Sequence, residues 1–369
     1  MPHSSVLNPA EIERSIPLAT DAAHMRVAEI SAWQTQLLQK WRSLKIAPVL
    51  PPIWARGGHL QTLFGFLIPS LKIQAPSEEI FIILPDDDIL HARLLSGNSE
   101  HVIYLFHGLG GSIESNYIQR TARVAQALGM TVVMANHRGS GEGKELAKKP
   151  YHSGSSDDLS EFIFYGRNRW PHHRHITTGF SLSANASILL AAGHNAKALP
   201  DAAITVNAPL DLRRSSLSLT RGINRIYDIN FMRDMRAFVK DRKLNERPIK
   251  IDPGATLYDF DEIYTAPATG FLNRADYYEH CSGQKFAQKI LIPTFLIHAE
   301  DDPFIPGAIY HETQFSDRAI VHIEKTGGHL GYLTRQSMRV AHANANGGAY
   351  GMRWLDATLD QLLRAAIEV

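Results

Sequence analysis

Cysteine is almost missing from this 369-residue sequence: Cys281 stands alone. One thiol makes no internal disulfide and no Cys-based zinc or iron–sulfur centre. It suits a reducing compartment, so a cytoplasmic location is expected. Long apolar runs are missing as well. No stretch of about 18 apolar residues occurs, so no transmembrane helix is expected. Met1–Ala10 is polar and lacks the apolar centre of a secretory signal. Neither sign of charge dominates: Lys and Arg number 38 against 37 Asp and Glu, a formal net charge of +1. No global field exists to gather nucleic acid or an anionic membrane. The glycines of Gly139–Lys144 fit neither the dinucleotide fingerprint nor the P-loop spacing. His172, His173 and His175 have no further ligand at metal-binding spacing, and His311-Glu312 lacks the downstream His of a zincin helix. No cofactor and no metal is called for.

What is present is an ordinary globular composition, 44% hydrophobic and 20% charged, in a chain long enough for a substantial core. Thr20 to Leu44 reads as an amphipathic helix. Val27, Ile30, Trp33, Leu37, Trp41 and Leu44 recur at three- and four-residue steps, and Thr20 or Asp21 is placed to cap it. Such a helix is expected to pack on the body of the protein, with a dimer arm or a membrane-surface anchor as the alternatives, and Pro48, Pro51 and Pro52 close it off with a linker. From about Ile80 short apolar runs take over: Phe81–Leu84, Val102–Phe106, Val132–Ala135, Ile176–Thr178, Ala203–Val206, Thr294–Ile297 and Ile320–Ile323. Helix-period stretches separate most of them, as in Tyr117–Leu128, Ser156–Asn168 and Leu182–Ala192. This alternation predicts βαβ units around a mostly parallel central sheet flanked by helices, an α/β fold. Met352–Ile367 is a final amphipathic helix. Between Pro209 and Gly283 the alternation stops. The segment is helical in pattern and locally basic, with eleven Lys or Arg against Asp228, Asp234, Asp241 and Glu246 between Arg213 and Lys250. It reads as a lid or cap insertion.

The chemistry-bearing motif is Gly179-Phe180-Ser181-Leu182-Ser183, where an apolar strand runs straight into a helix-forming stretch. A nucleophile elbow needs that context: the Ser sits on a sharp strand-to-helix turn that leaves no room for side chains two residues either way. Gly179 meets the first requirement, and Ser183 stands where Gly is usual. Ser183 would itself be flanked by Ser181 and Asn185, so Ser181 is the candidate nucleophile. A serine needs a base and a group to orient it, and in this architecture they follow in the order Ser, acid, His. After the strand Thr294–Ile297 comes Glu300-Asp301-Asp302-Pro303, with Asp302 the preferred acid and Asp301 the alternative. After Ile320–Ile323 comes Gly327-Gly328-His329, whose glycines let an imidazole reach the serine. The strand Val102–Phe106 ends in His107-Gly108-Leu109. There the backbone N–H of Leu109 would join that of Leu182 in an oxyanion hole, while the His107 side chain braces the loop.

These motifs resemble the YheT-like branch of the α/β-hydrolase superfamily, which includes abhydrolase-domain lipid hydrolases. Other matching segments are Gly58-His59-Leu60-Gln61-Thr62, His107–Ser112, Asn136-His137-Arg138-Gly139 and Tyr151-His152-Ser153-Gly154. Further on come Tyr258-Asp259-Phe260-Asp261, Tyr264-Thr265-Ala266-Pro267 and Asp276-Tyr277-Tyr278, so the likeness spans about Pro51 to Leu333. It departs at Ser183 and Ala184, where glycines are common. The resemblance implies a serine hydrolase of carboxylic esters, either short acyl esters or acyl lipids. Some relatives carry a His-x4-acid motif linked to acyl transfer, and His152 to Asp157 fits that spacing. The structural alternative is that Ser155 or Ser156 caps the helix beginning near Asp157. The expected organisation is an N-terminal helical arm and linker (1–52), a first core part (53–208), a lid insertion (209–283) and a second core part (284–369). The expected partner is a small-molecule or lipid ester, with no nucleic acid; peripheral membrane contact and oligomeric state stay open. The competing reading is a non-catalytic scaffold of the same fold that binds a lipid or a protein.

Overall fold

A computed structural model describes residues 20–70, 72–240, 251–335 and 352–369, with side chains in the first helix described from Ala28 onward. The side chains of Val27 and of the capping candidates Thr20 and Asp21 lie outside what is described, as do the segment Met1–Ala10 and Asp241 and Glu246 of the basic stretch.

Among the described residues eight strands form one sheet: β1 (Glu78–Ile83), β2 (Ile89–Leu95), β3 (His101–Phe106), β4 (Thr131–Asn136), β5 (Arg174–Phe180), β6 (Ala202–Val206), β7 (Thr294–Ala299) and β8 (Ala319–Glu324). Their order across the sheet is β1-β2-β4-β3-β5-β6-β7-β8. β2 runs antiparallel to both its neighbours, and every pair from β4 to β8 is parallel. β4, β6 and β7 are buried along their whole length, because helices cover both faces of a parallel sheet and make its strands continuous apolar runs. β2 is the strand that sequence pattern misses, because His91 and Arg93 interrupt its apolar run. Both are held from the side: His91 by Asn136 at 2.9 Å, and Arg93 by Glu79, Glu114 and Glu142.

Helices α1 (Thr20–Ser43), α2 (Gly58–Leu67), α3 (Asn116–Ala127), α4 (Ser156–Arg169) and α5 (Leu182–Ala191) precede β6. Between β6 and β7 the described residues form α6 (Leu212–Leu219), α7 (Arg225–Lys240), α8 (Leu257–Phe260), a π-helical turn (Asp261–Thr265), α9 (Ala266–Ala268) and α10 (Arg274–Cys281). This helical insertion adds no strand among the described residues. α11 (Ala308–Glu312) follows β7, and α12 (Trp354–Ile367) closes the chain. One side of the sheet packs against α1, α3 and α12 through Leu37, Trp41, Phe295 and Trp354. Trp33 and Trp41 bury their rings there and donate their indole N–H groups to Ala366 and Leu362 carbonyls at 3.2 and 3.0 Å. α1 therefore lies against α12 as part of the body. α4 and α5 cover the other side, with Phe162 against Phe106. No helix among the described residues is long and apolar enough to cross a membrane.

The carboxyl ends of β3, β5, β6 and β7 point to one edge, which is where parallel α/β sheets collect ligand-binding residues.

Candidate active site

β5 ends at Phe180 and α5 starts at Leu182, so Ser181 alone makes the turn, at φ 53° and ψ −116°. Few non-glycine residues hold such a conformation, and where one does the surroundings over-determine it. Here the Ser181 N–H donates to the Val206 carbonyl at 2.8 Å, and its own carbonyl accepts from Ala184. The turn brings residue 179 so close that a Cβ there would lie 2.5 Å from the Ser183 carbonyl oxygen and from Ser187 Oγ. Glycine is required. Two residues beyond Ser181 the side chain is accommodated and used. Ser183 is fully buried; its hydroxyl donates to the His107 carbonyl and accepts from His137 Nε2 at 2.5 Å. The His137 backbone N–H donates in turn to His107 Nε2 at 3.3 Å, and His107 Nδ1 donates to the Gly108 carbonyl at 2.8 Å. Burial pushes His107 down to about 4 and His137 well below the ordinary histidine value, with the neighbouring His107 adding to the effect on His137. Both rings are neutral braces under the loop after β3.

That loop leaves one donor over. Gly108 N–H goes to the Tyr117 hydroxyl at 2.9 Å, Gly110 N–H to the Tyr151 hydroxyl at 2.9 Å, and Gly111 N–H to the Gly108 carbonyl at 3.1 Å. Leu109 N–H has no such partner among the described residues. Leu182 opens α5, and a helix cannot satisfy the N–H groups of its own first turn. Both leucines border the cavity above Ser181.

His329 Nε2 lies 2.9 Å from Ser181 Oγ, and His329 Nδ1 donates to Asp302 Oδ2 at 2.8 Å. The three candidates thus form one hydrogen-bonded series. Asp302 is fixed on every side: Oδ1 accepts from Phe304 and Ile305 N–H at 2.8 and 3.2 Å, and Oδ2 accepts from Asn207 Nδ2 at 2.6 Å. Burial alone would raise its pKa. The His329 charge and hydrogen bond, helped by Phe304 N–H, outweigh burial and hold the carboxyl below its usual range. Asp301 does something else. Its carboxylate accepts from Thr326 Oγ1, Gly327 N–H and Gly328 N–H at 2.7, 2.9 and 2.8 Å, tying down the loop that carries His329. Gly328, at φ 57°, has no room for a side chain, since a Cβ would sit 2.4 Å from the Gly58 carbonyl oxygen. His329 N–H donates to Thr62 Oγ1 on α2 at 2.8 Å.

Three supporting residues escape a reading of triad spacing alone. Thr62 and His137 fall inside segments that carry the family resemblance, which was their signal. Asn207 (φ 51°) was marked only by being a polar residue directly after the buried strand β6. Its Oδ1 accepts from the Tyr332 hydroxyl at 2.9 Å while its Nδ2 holds Asp302.

The remaining candidates stand apart from Ser181. His175 bonds the Tyr104 hydroxyl at 2.8 Å, and His311 pairs with Glu300 at the surface. His152 Nδ1 accepts from Gly154 N–H at 3.1 Å among the rings of Phe271 and Tyr277, whereas Asp157 is exposed. The expected side-chain cap on α4 is not made. Ser155 Oγ instead accepts from His152 N–H, and Ser156 Oγ donates to the His194 carbonyl.

A cavity of about 90 Å³ opens on Ser181 and His329, its wall largely apolar through Leu212, Leu219, Phe231, Phe304 and Ile305. A second, of about 70 Å³, adjoins it and shares Leu109, Leu182 and Leu257. The insertion supplies much of both.

An eight-stranded, mostly parallel sheet with a strained serine at the end of its central strand and a histidine in reach defines a hydrolase of the α/β fold. The sequence model of the family described as alpha/beta hydrolase fold matches residues 101–336. YheT of Escherichia coli (strain K12), which carries a provisional esterase name, is 30% identical over 241 residues, covering 63% of this chain and 70% of that one. Abhydrolase domain-containing protein 2 of Drosophila melanogaster is 25% identical over 333 residues, covering 78% and 80%. A monoacylglycerol lipase of Saccharomyces cerevisiae is 25% identical over 268 residues, covering 69% and 59%. The chain belongs to the α/β-hydrolase family, in its YheT-like branch.

Proposed function

We propose that this protein cleaves carboxylic esters with Ser181 as nucleophile, His329 as general base and acid, and Asp302 as the group that orients His329. The observation that carries the proposal is the unbroken series from Ser181 Oγ through the imidazole to Asp302, at 2.9 and 2.8 Å. His329 Nδ1 carries its proton toward Asp302, so Nε2 is free to take the serine proton as Oγ attacks the ester carbonyl. The N–H groups of Leu109 and Leu182 receive the developing oxyanion. His329 then hands the proton to the departing alcohol, leaving the acyl group on Ser181. A water deprotonated by His329 attacks that acyl-enzyme, and collapse of the second tetrahedral species restores the serine and frees the acid.

The names of relatives, esterase and monoacylglycerol lipase among them, and the apolar wall together favour acyl esters up to lipids. The insertion from about Pro209 to Gly283 serves as the lid, since α6, α7 and α10 wall the cavity. A scaffold without activity would be favoured by a serine out of reach of the base or an elbow blocked by Ser183. The 2.9 Å contact and the buried, fully bonded Ser183 support the enzyme. The test is hydrolysis of p-nitrophenyl esters of increasing acyl length. The wild type should turn them over, with kcat falling by about 10⁴-fold or more in Ser181→Ala; no turnover at any chain length would sink the proposal.

A further inference from the structure

Several segments that carry the family resemblance take no part in the serine chemistry, and the structure brings three of them to one place. Within Tyr258–Asp261, most residues serve the insertion itself. Asp259 completes a capping box with Thr256, Tyr258 stacks beneath Arg274, and Phe260 is buried. Asp261 does not. It begins the π-helical turn and borders both the cavity at Ser181 and its neighbour. π-turns inside helices gather at functional sites, because the extra residue turns a side chain out of the regular pattern. The Tyr278 hydroxyl donates to Asp261 Oδ2 at 2.7 Å. Tyr277, its neighbour, accepts from Ser153 N–H at 3.0 Å and lines the same two cavities. Across from them Ser215, 7% exposed, lines the cavity at Ser181, and its Oγ has no hydrogen-bond partner among the described residues. Burial pushes the Asp261 carboxyl up to about 6 against the pull of the Tyr278 and Thr265 hydroxyls. A hydroxyl buried without a partner is costly, and a carboxyl held by the Tyr278 and Thr265 hydroxyls keeps acceptor sites for a further donor.

We propose that Asp261, Tyr278 and Ser215 form a hydroxyl-binding subsite, so that the preferred esters keep free hydroxyl groups on their alcohol part. This rests on the esterase reading above. An alkyl acyl chain has nothing to offer these groups and is suited by Leu219, Phe231 and Phe304. A polyol alcohol can donate to the Asp261 carboxylate and to the Tyr278 oxygen, whose own proton is already given to Asp261, and can accept from the Ser215 hydroxyl. Sites built to hydrogen-bond a substrate hydroxyl discriminate strongly against analogues that lack it, because their own polar groups are then left unpaired.

The experiment compares 1-monooctanoylglycerol with propyl octanoate, which share the acyl chain and the three-carbon alcohol and differ by two hydroxyls. The readout is the ratio of kcat/KM values for the two esters. In the wild type it should be about tenfold or more in favour of the glycerol ester. It should fall toward one in Asp261→Leu and at least severalfold in Tyr278→Phe. Melting curves check that each variant folds; should Asp261→Leu fail to, Tyr278→Phe, which deletes a single oxygen, decides. A wild-type ratio near one, or a ratio that survives in the folded variants, overturns the subsite. Covalent labelling of Ser181 by a fluorophosphonate separates the two failures. Labelling with a flat ratio removes the subsite alone, whereas no labelling and no turnover of either ester removes the esterase reading.

Discussion

The elbow and the cavity wall built by the insertion lie on either side of the same cavity, yet they treat polar groups in opposite ways. The groups that position Ser181 and its base are matched: Ser183 to His107 and His137, the Gly108 and Gly110 N–H groups to Tyr117 and Tyr151, Asp302 to four donors. On the insertion side Ser215 Oγ has no partner among the described residues, and burial pushes the Asp261 carboxyl up. Groups that must hold one geometry through a reaction are over-determined by their surroundings, whereas groups that meet a variable molecule keep hydrogen-bonding capacity in reserve.

The sharpest break within the elbow region uses its two adjacent carboxylates. Asp302→Asn keeps the shape but offers His329 the wrong partner, and kcat should drop by about 10⁴-fold. Asp301→Asn loosens only the loop that carries His329 and should cost about tenfold. Steady-state kinetics on one p-nitrophenyl ester measures both; equal losses would show that the division of labour between the two carboxylates is misassigned.

A smaller effect concerns stability in acid. Burial drives His107, His152 and His298 down to about 4, and His137 well below its ordinary value. In the unfolded chain these rings titrate near 6.5, so as pH falls below that value the unfolded state takes up protons that the folded state refuses. Stability is therefore complete above about pH 7 and lost progressively between about 6.5 and 4, by about 2 kcal/mol for each ring at pH 5. Asp158 and Asp261, raised to about 6 by burial, act in the opposite sense but are fewer. The melting temperature should fall steadily over that range. His298 stacks on Tyr310 at 4.0 Å with neither ring nitrogen hydrogen-bonded among the described residues. His298→Phe should thus raise the melting temperature more at pH 5 than at pH 8. An equal change at both would mean that this ring is not buried neutral.

Legibility in the sequence followed the same division. Buried parallel strands write themselves as apolar runs, and seven of the eight strands can be read that way; β2 escapes because its polar residues are satisfied by partners from distant segments. Gly179, Gly327 and Gly328 advertise the elbow and the histidine loop because crowding, by neighbouring backbone at Gly179 and Gly328 and by the Tyr332 ring at Gly327, leaves no room for a side chain there. Asn207 and Ser215 carry no such mark, since what they do depends on neighbours brought close only by folding. The choice between Asp301 and Asp302 was open for the same reason. Adjacent residues of one type differ only in which partners the turn after β7 presents to each.

The most direct measurement is intact mass after incubation with a fluorophosphonate, on the wild type, Ser181→Ala and Ser183→Ala. One adduct per chain on the wild type and on Ser183→Ala, the latter forming about tenfold more slowly as the loop over His107 loosens, with none on Ser181→Ala, is the predicted result. An adduct that persists in Ser181→Ala, or the absence of any adduct on the wild type, would contradict the assignment of Ser181 as an activated nucleophile.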